Sequence, residues 1–243
     1  MSMIDFPIAN IALAADVRRW HKTPSYKAPS ISEHTCQVAH YSLYLLNGIV
    51  KNPTVEQELK LLKLAMWHDM SETITGDVPT PLKRYLESLF PAGQSPLEIL
   101  EERLCKPYAM AKNDADELIK IIMKLADVLD AAHFAQNEIK ARASKAIFDE
   151  RKAAYASYVE KGKTQFPEHN WKYAHELLNE LMTSEPLSIA FSELMAHEDG
   201  VELLNPLPGQ WDTKKKGCGY ASQSTFSLIR ELCARLFRFR PNA

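Results

Sequence analysis

The stretch LAMWHDMSETITGDVPTP, residues 64–81, sets His68, Asp69, Glu72 and Asp77 where an apolar helix runs into a turn built on Gly and Pro. All four side chains can bind a metal ion or move a proton. On a continuous helix His68 and Glu72 lie four apart and Asp69 and Glu72 three apart, so the three share an arc of about 100°. Burying such groups on one face is costly unless a metal or mutual hydrogen bonds satisfy them. A His-Asp pair alone carries little weight, because a chain of this composition yields about 0.4 by chance. The competing reading is a solvated helix end followed by an acidic loop, and this segment leaves both open.

Two residues elsewhere add to the set. His34 falls on the apolar stripe Val38, Tyr41, Leu45 by helical spacing; taken alone, a core histidine is the commoner role. Asp127 lies inside LIKIIMKLADVLDAAHFA, a run apolar on nearly every side. An unpaired carboxylate there would cost several kcal/mol, so it must meet a cation, a donor or a metal. Asp130, one turn on, borders a less crowded face, and Lys124 could pair with either acid. Together His34, His68, Asp69 and Asp127 offer two imidazoles and two carboxylates. That mixed set suits an octahedral Mn²⁺, Co²⁺, Fe²⁺ or Mg²⁺ better than a structural zinc. It would leave about two positions for a phosphate oxygen and a water.

The elements that must position these groups are helical. Residues 8–20 read as a short helix followed by the polar loop HKTPSYKAPS. Ser30 with Glu33 forms a capping box that opens ISEHTCQVAHYSLYLLNGI. Pro53–Thr54, with Gln57 three on, opens the helix carrying Leu59, Leu62, Ala65 and Met66, expected to end near Glu72 before Gly76 and the PTP turn. Residues 95–111 read as a surface helix and 118–135 as the buried centre of a bundle. Further helices are expected over 137–160, 170–182, 186–198 and 222–237. Strand signals are nearly absent, so the expected fold is all-α. The expected organisation is one domain over 1–185 with a C-terminal extension, 186–243, packed on it.

Composition narrows the function. The chain is 46% hydrophobic and 25% charged, enough for a sizeable core, and its net charge of −2 provides no basic field for nucleic acid. No apolar run reaches the roughly 18 residues of a membrane span, and MSMIDFPIAN lacks the basic and apolar regions of a secretory signal. Cys36, Cys105, Cys218 and Cys233 form no CxxC pair, which points to reduced thiols in a cytoplasmic compartment. The eight scattered glycines exclude a GxGxxG loop, a Walker A loop and a GxSxG elbow.

The ordered set Arg19-Trp20, SEH (32–34) with QVA (37–39), LAMWHD (64–69), SE (71–72), TGDVPTPLK (75–83) and KLAD (124–127) resembles the HD-domain 5′-deoxynucleotidases. These are the YfbR-like branch of the HD phosphohydrolases. The resemblance covers residues 10–140 well and reaches loosely to 183; beyond that no counterpart aligns. It implies an all-helical fold, a homodimer or higher homo-oligomer, and one divalent metal per subunit held by His34, His68, Asp69 and Asp127. It also implies that Arg19, Glu72, Asp77 and Lys83 act on the phosphate and the water. The implied substrates are deoxyribonucleoside 5′-monophosphates; close relatives with the same site act on triphosphates such as dATP. Trp20 is a candidate wall against the sugar, or an ordinary core aromatic.

Overall fold

Ser30 Oγ accepts the Glu33 N–H at 3.1 Å and Glu33 Oε2 accepts the Ser30 N–H at 2.8 Å, so the expected capping box starts helix α2, Ile31–Ile49. Thr54 and Gln57 make the same reciprocal pair at the start of α3, Val55–Trp67. These belong to a computed structural model that describes residues 5–91, 95–140 and 143–186. The expected helices over 186–198 and 222–237, and the packing of the 186–243 extension, lie outside the described residues. Residues through Glu185 form one compact unit.

The remaining helices are α1 (Ile8–Leu13), α4 (Glu72–Thr75), α5 (Thr80–Ser88), α6 (Pro96–Leu104), α7 (Lys106–Asp114), α8 (Glu117–Asn137), α9 (Ala143–Gln165) and α10 (Trp171–Thr183). Among the described residues only isolated bridges, and no strand, accompany them, so the all-α reading holds. None of the described helices is long and apolar enough to cross a membrane.

α8 is the axis of the bundle. Ile119, Ile122, Leu125, Ala126 and Leu129 are buried on it, and α2, α3 and α9 pack around it. Each of these isoleucines and leucines, fully buried, contributes about 1.5–3 kcal/mol. α2 turns Ile31, His34, Val38, Leu45 and Ile49 inward, with Tyr41 half-buried. On α3 the core-facing residues are Leu61, Leu64 and Ala65, whereas Leu59 and Met66 are exposed.

Three boundaries depart from expectation. The first helix stops at Leu13 rather than 20, and the 95–111 helix is two, α6 and α7, meeting at Cys105. α3 ends at Trp67 instead of running to Glu72. The reason is local: the His68 imidazole takes the Ala65 carbonyl at 2.7 Å, and the chain tightens into i→i+3 bonds, Met70 N–H to Trp67 O and Glu72 N–H to Asp69 O. Glu72 therefore begins a new helical turn, and the shared helical arc of His68, Asp69 and Glu72 becomes a turn-held cluster.

Candidate metal and phosphate site

α2 supplies His34, the end of α3 supplies His68 and Asp69, and α8 supplies Asp127. His34 Nε2 and His68 Nε2 stand 3.2 Å apart. Asp69 Oδ2 lies 3.3 Å from the first and 3.4 Å from the second, and Asp127 Oδ1 lies 3.4 Å from His34 Nε2. One donor atom from each of His34, His68 and Asp127 falls within 4.8 Å of the others. The structure thus brings all four expected ligands together.

Their tautomers explain why a cation fits. His34 Nδ1 sits 2.6 Å from Asp130 Oδ2 and His68 Nδ1 sits 2.7 Å from the Ala65 carbonyl. Both partners are acceptors, so both Nδ1 atoms carry the proton and both Nε2 atoms turn a lone pair to the centre. Burial, above all, holds His68 down to about 3, so its imidazole is neutral. Asp127 is pushed up by burial, yet the Lys124 ammonium holds it well below the ordinary carboxylate value. The Nε2 atoms of two imidazoles and two carboxylate oxygens converge at 3.2–3.4 Å. A cation satisfies such a cluster, and this donor set suits a divalent metal. The Arg19 guanidinium contacts Asp69 Oδ2, the oxygen facing both imidazoles.

Arg19 and Trp20 reach the site from a loop closed at its neck and its tip. Arg19 N–H donates to Pro29 O at 2.9 Å and Ile31 N–H to Val17 O at 3.0 Å; farther out, Tyr26 N–H donates to Glu138 O at 2.9 Å. Trp20 adopts φ 57°, unusual for a bulky residue. Two contacts hold it there: its N–H donates to Asp77 Oδ2 at 2.8 Å, and its ring stacks on Phe134 with centroids 5.1 Å apart. Gly76, at φ 75°, closes α4 and lets the chain double back to Asp77. Lys83, on α5, donates to Glu72 Oε1 at 3.1 Å, while Glu72 Oε2 is buried with no partner among the described residues.

Arg19, Trp20, Asp77 and Lys83 line one cleft of about 210 Å³ with Thr80 and Arg151. Sequence reading named Asp130 only as a possible partner of Lys124, and it missed Phe134 and Arg151. Asp130 carried a signal, since it lies one helical turn from Asp127; the other two enter only through the packing of α8 and α9.

A family model described as 5′-deoxynucleotidase YfbR-like matches residues 8–180. The chain belongs to this family. Among its YfbR-like relatives, a 5′-deoxynucleotidase of Pectobacterium atrosepticum is 35% identical over 130 residues, 47% of this chain and 63% of that protein. The aligned stretch thus spans under two thirds of that relative. A dATP triphosphohydrolase of Acinetobacter phage SH-Ab 15497 is 26% identical over 187 residues, covering 72% of this chain and 90% of its own length. The solved HD phosphohydrolase of cyanophage S-2L, bound to dA and one catalytic Zn²⁺ ion, superposes with a TM-score of 0.55 over 75% of this chain and 96% of its own. At 17% identity that likeness establishes the shared helical fold.

Proposed function

We propose that this YfbR-like protein is a metal-dependent phosphohydrolase of deoxyribonucleotides, and that its substrate is a deoxyribonucleoside 5′-monophosphate. The observation that carries the reading is the cage of His34, His68, Asp69 and Asp127, its two histidines buried, beside a cleft lined by Arg19 and Lys83. The naming of relatives as 5′-deoxynucleotidases supports the substrate class.

A divalent ion held by those four side chains would supply charge neutralisation and a water of lowered pKa. Arg19 and Lys83 would hold non-bridging phosphate oxygens, the planar guanidinium by paired N–H groups. A proton-transfer role for Glu72 is supported by its two oxygens: Oε1 is taken by Lys83 and Oε2 is free of partners among the described residues. Asp77 faces the same cleft, and its bond to the Trp20 N–H lets it fix the Trp20 wall as well as act on a proton. A wall at the 2′ position discriminates by clash, which is most effective where the ring cannot relax; Phe134 stacking supplies that rigidity. Exposed apolar side chains on α1 and α3, among them Ile8, Ile11 and Met66, support a homodimer. The second reading, release of triphosphate from a dNTP, is favoured by the match along 90% of the phage dATP triphosphohydrolase.

A panel of dNMPs, NMPs and dNTPs, with Mn²⁺, Co²⁺ or Mg²⁺ and product analysis, tests the proposal. Phosphate release from dNMPs, lost on chelation and in Asp127→Ala, is expected. Equal rates on dAMP and AMP would remove Trp20 from sugar selection, and full activity of a metal-free sample would overturn the reading.

A further inference from the structure

The cleft lined by Arg19 and Lys83 also carries two further arginines and an acid, Arg84, Arg151 and Glu150. Arg84 comes to it from α5 and Arg151 from α9. Arg84 Nη2 contacts Glu150 Oε1, and Arg151 Nη2 lies 3.6 Å from the same oxygen. Arg151 is fixed independently: its Nη2 donates to Thr80 Oγ1 at 3.0 Å and its guanidinium stands 5.9 Å over the Trp20 ring. Its Nε is buried without a partner among the described residues. Two guanidinium groups from different helices therefore converge on one anionic oxygen, in the cleft that Arg19 and Lys83 also line.

Arginine pairs of this kind bind phosphate oxygens well, because each planar fork offers parallel N–H donors. A monophosphate held by Arg19 and Lys83 has no second phosphate group to offer them. A triphosphate has two more phosphate groups, and they would meet Glu150 already seated there. We propose that Glu150 is a specificity-determining residue: it occupies the Arg84–Arg151 anion position itself and so disfavours deoxynucleoside triphosphates against monophosphates. The inference deepens the deoxynucleotide reading and rests on it.

The magnitudes set the direction. The Arg84 side chain is 63% exposed and that of Glu150 39%, so their pairing has the small worth of a surface ion pair and does not lock the position shut. Glu150 acts as a competitor and a like charge to the tail. Glu150→Gln keeps the shape and removes both effects. An ion pair that merely ties α5 to α9 would, when broken, move the melting temperature and leave the substrate ratio alone.

The test uses the full chain, the dNMP that the substrate panel selects, and the dNTP of the same base. KM and kcat are measured for the dNMP, and Ki for the dNTP against dNMP hydrolysis, which reads dNTP binding whether or not the dNTP is cleaved. Glu150→Gln should lower the dNTP Ki about tenfold while the dNMP KM stays within about twofold. Arg84→Ala should raise the dNTP Ki about tenfold with the dNMP KM again unchanged. An unchanged or raised dNTP Ki in Glu150→Gln, or an equal shift for both nucleotides, overturns the proposal. A wild-type protein that hydrolyses no dNMP would instead bring down the underlying reading, and that outcome is visible before any variant is made.

Discussion

Asp130 is not in the cage, yet replacing it should weaken metal binding without abolishing the chemistry. Its carboxylate lies 2.6 Å from His34 Nδ1, and the His34 side chain is 1% exposed, so that N–H depends on Asp130 for its acceptor. Asp130→Ala leaves that N–H unpaired, a penalty of about 1–3 kcal/mol for a buried donor. It also frees the other tautomer, in which Nε2 carries the proton and cannot ligate. Outer partners of ligating histidines typically contribute 10–100-fold in metal affinity, or about 1.4–2.7 kcal/mol at 1.36 kcal/mol per decade. Calorimetric titration of Mn²⁺ into chelator-stripped protein should therefore show Kd raised about 10–100-fold, with turnover at saturating metal within about threefold of wild type. Asp130→Asn can present its amide oxygen to the same N–H and should recover most of the loss. An unchanged Kd in Asp130→Ala, with circular dichroism showing an intact fold, would refute the tautomer argument. So would a turnover defect that excess metal fails to restore.

Glu72→Gln should keep its metal and bind nucleotide normally, yet turn over about 10²–10⁴-fold more slowly, because only the proton-accepting charge is lost; metal analysis and a phosphate-release assay on one preparation check this. Gly48→Ala should destabilise the fold by about 1–3 kcal/mol despite a better helix former, since the new Cβ would lie 1.9 Å from the Tyr173 ring where α2 meets α10. Thermal unfolding reads that loss directly. Burial pushes the Glu101 carboxyl above its ordinary 4.5, while Lys83 and Lys124 pull the other way. A raised carboxyl pKa favours the fold below the ordinary value and loses that contribution as pH rises through the folded one. Glu101→Gln should thus be more stable than wild type near neutral pH and equal to it below about pH 4.5, as denaturant midpoints across pH would show.

Much of this could be read from the chain. Ser30–Glu33 and Thr54–Gln57 are short-range devices whose partners lie three residues apart, so the sequence alone contains the whole interaction. His34 and Asp127 were legible for a different reason, since an imidazole or carboxylate among apolar residues has few affordable partners, whereas His68 and Asp69 were singled out by the ordered motif set. The end of α3 was misread because helical periodicity continues formally to Glu72, whereas the His68 side chain competes for the Ala65 carbonyl and the backbone tightens. α5 was hidden inside the PTP turn, although Pro81 at the start of a helix is a favourable signal. The stack of Trp20 on Phe134 and the Arg84–Glu150–Arg151 cluster join residues 66 to 114 positions apart. No local pattern encodes such contacts.

One feature of α5 bears on how a nucleotide gets in and out. The helix carries Lys83 and Arg84 into the cleft, yet none of its residues is buried, while the cage stands on α2, α3 and α8, which supply the core. Opening a segment costs roughly what its buried contacts contribute. Amide protons over Lys83–Ser88 should then exchange with solvent through local openings, long before those of α8 exchange through global unfolding. The cage of His34, His68, Asp69 and Asp127 would remain assembled during each opening. Substrate would gain and lose its phosphate clamp at the low cost of releasing one surface helix held by Lys83–Glu72, Arg84–Glu150 and Arg151–Thr80.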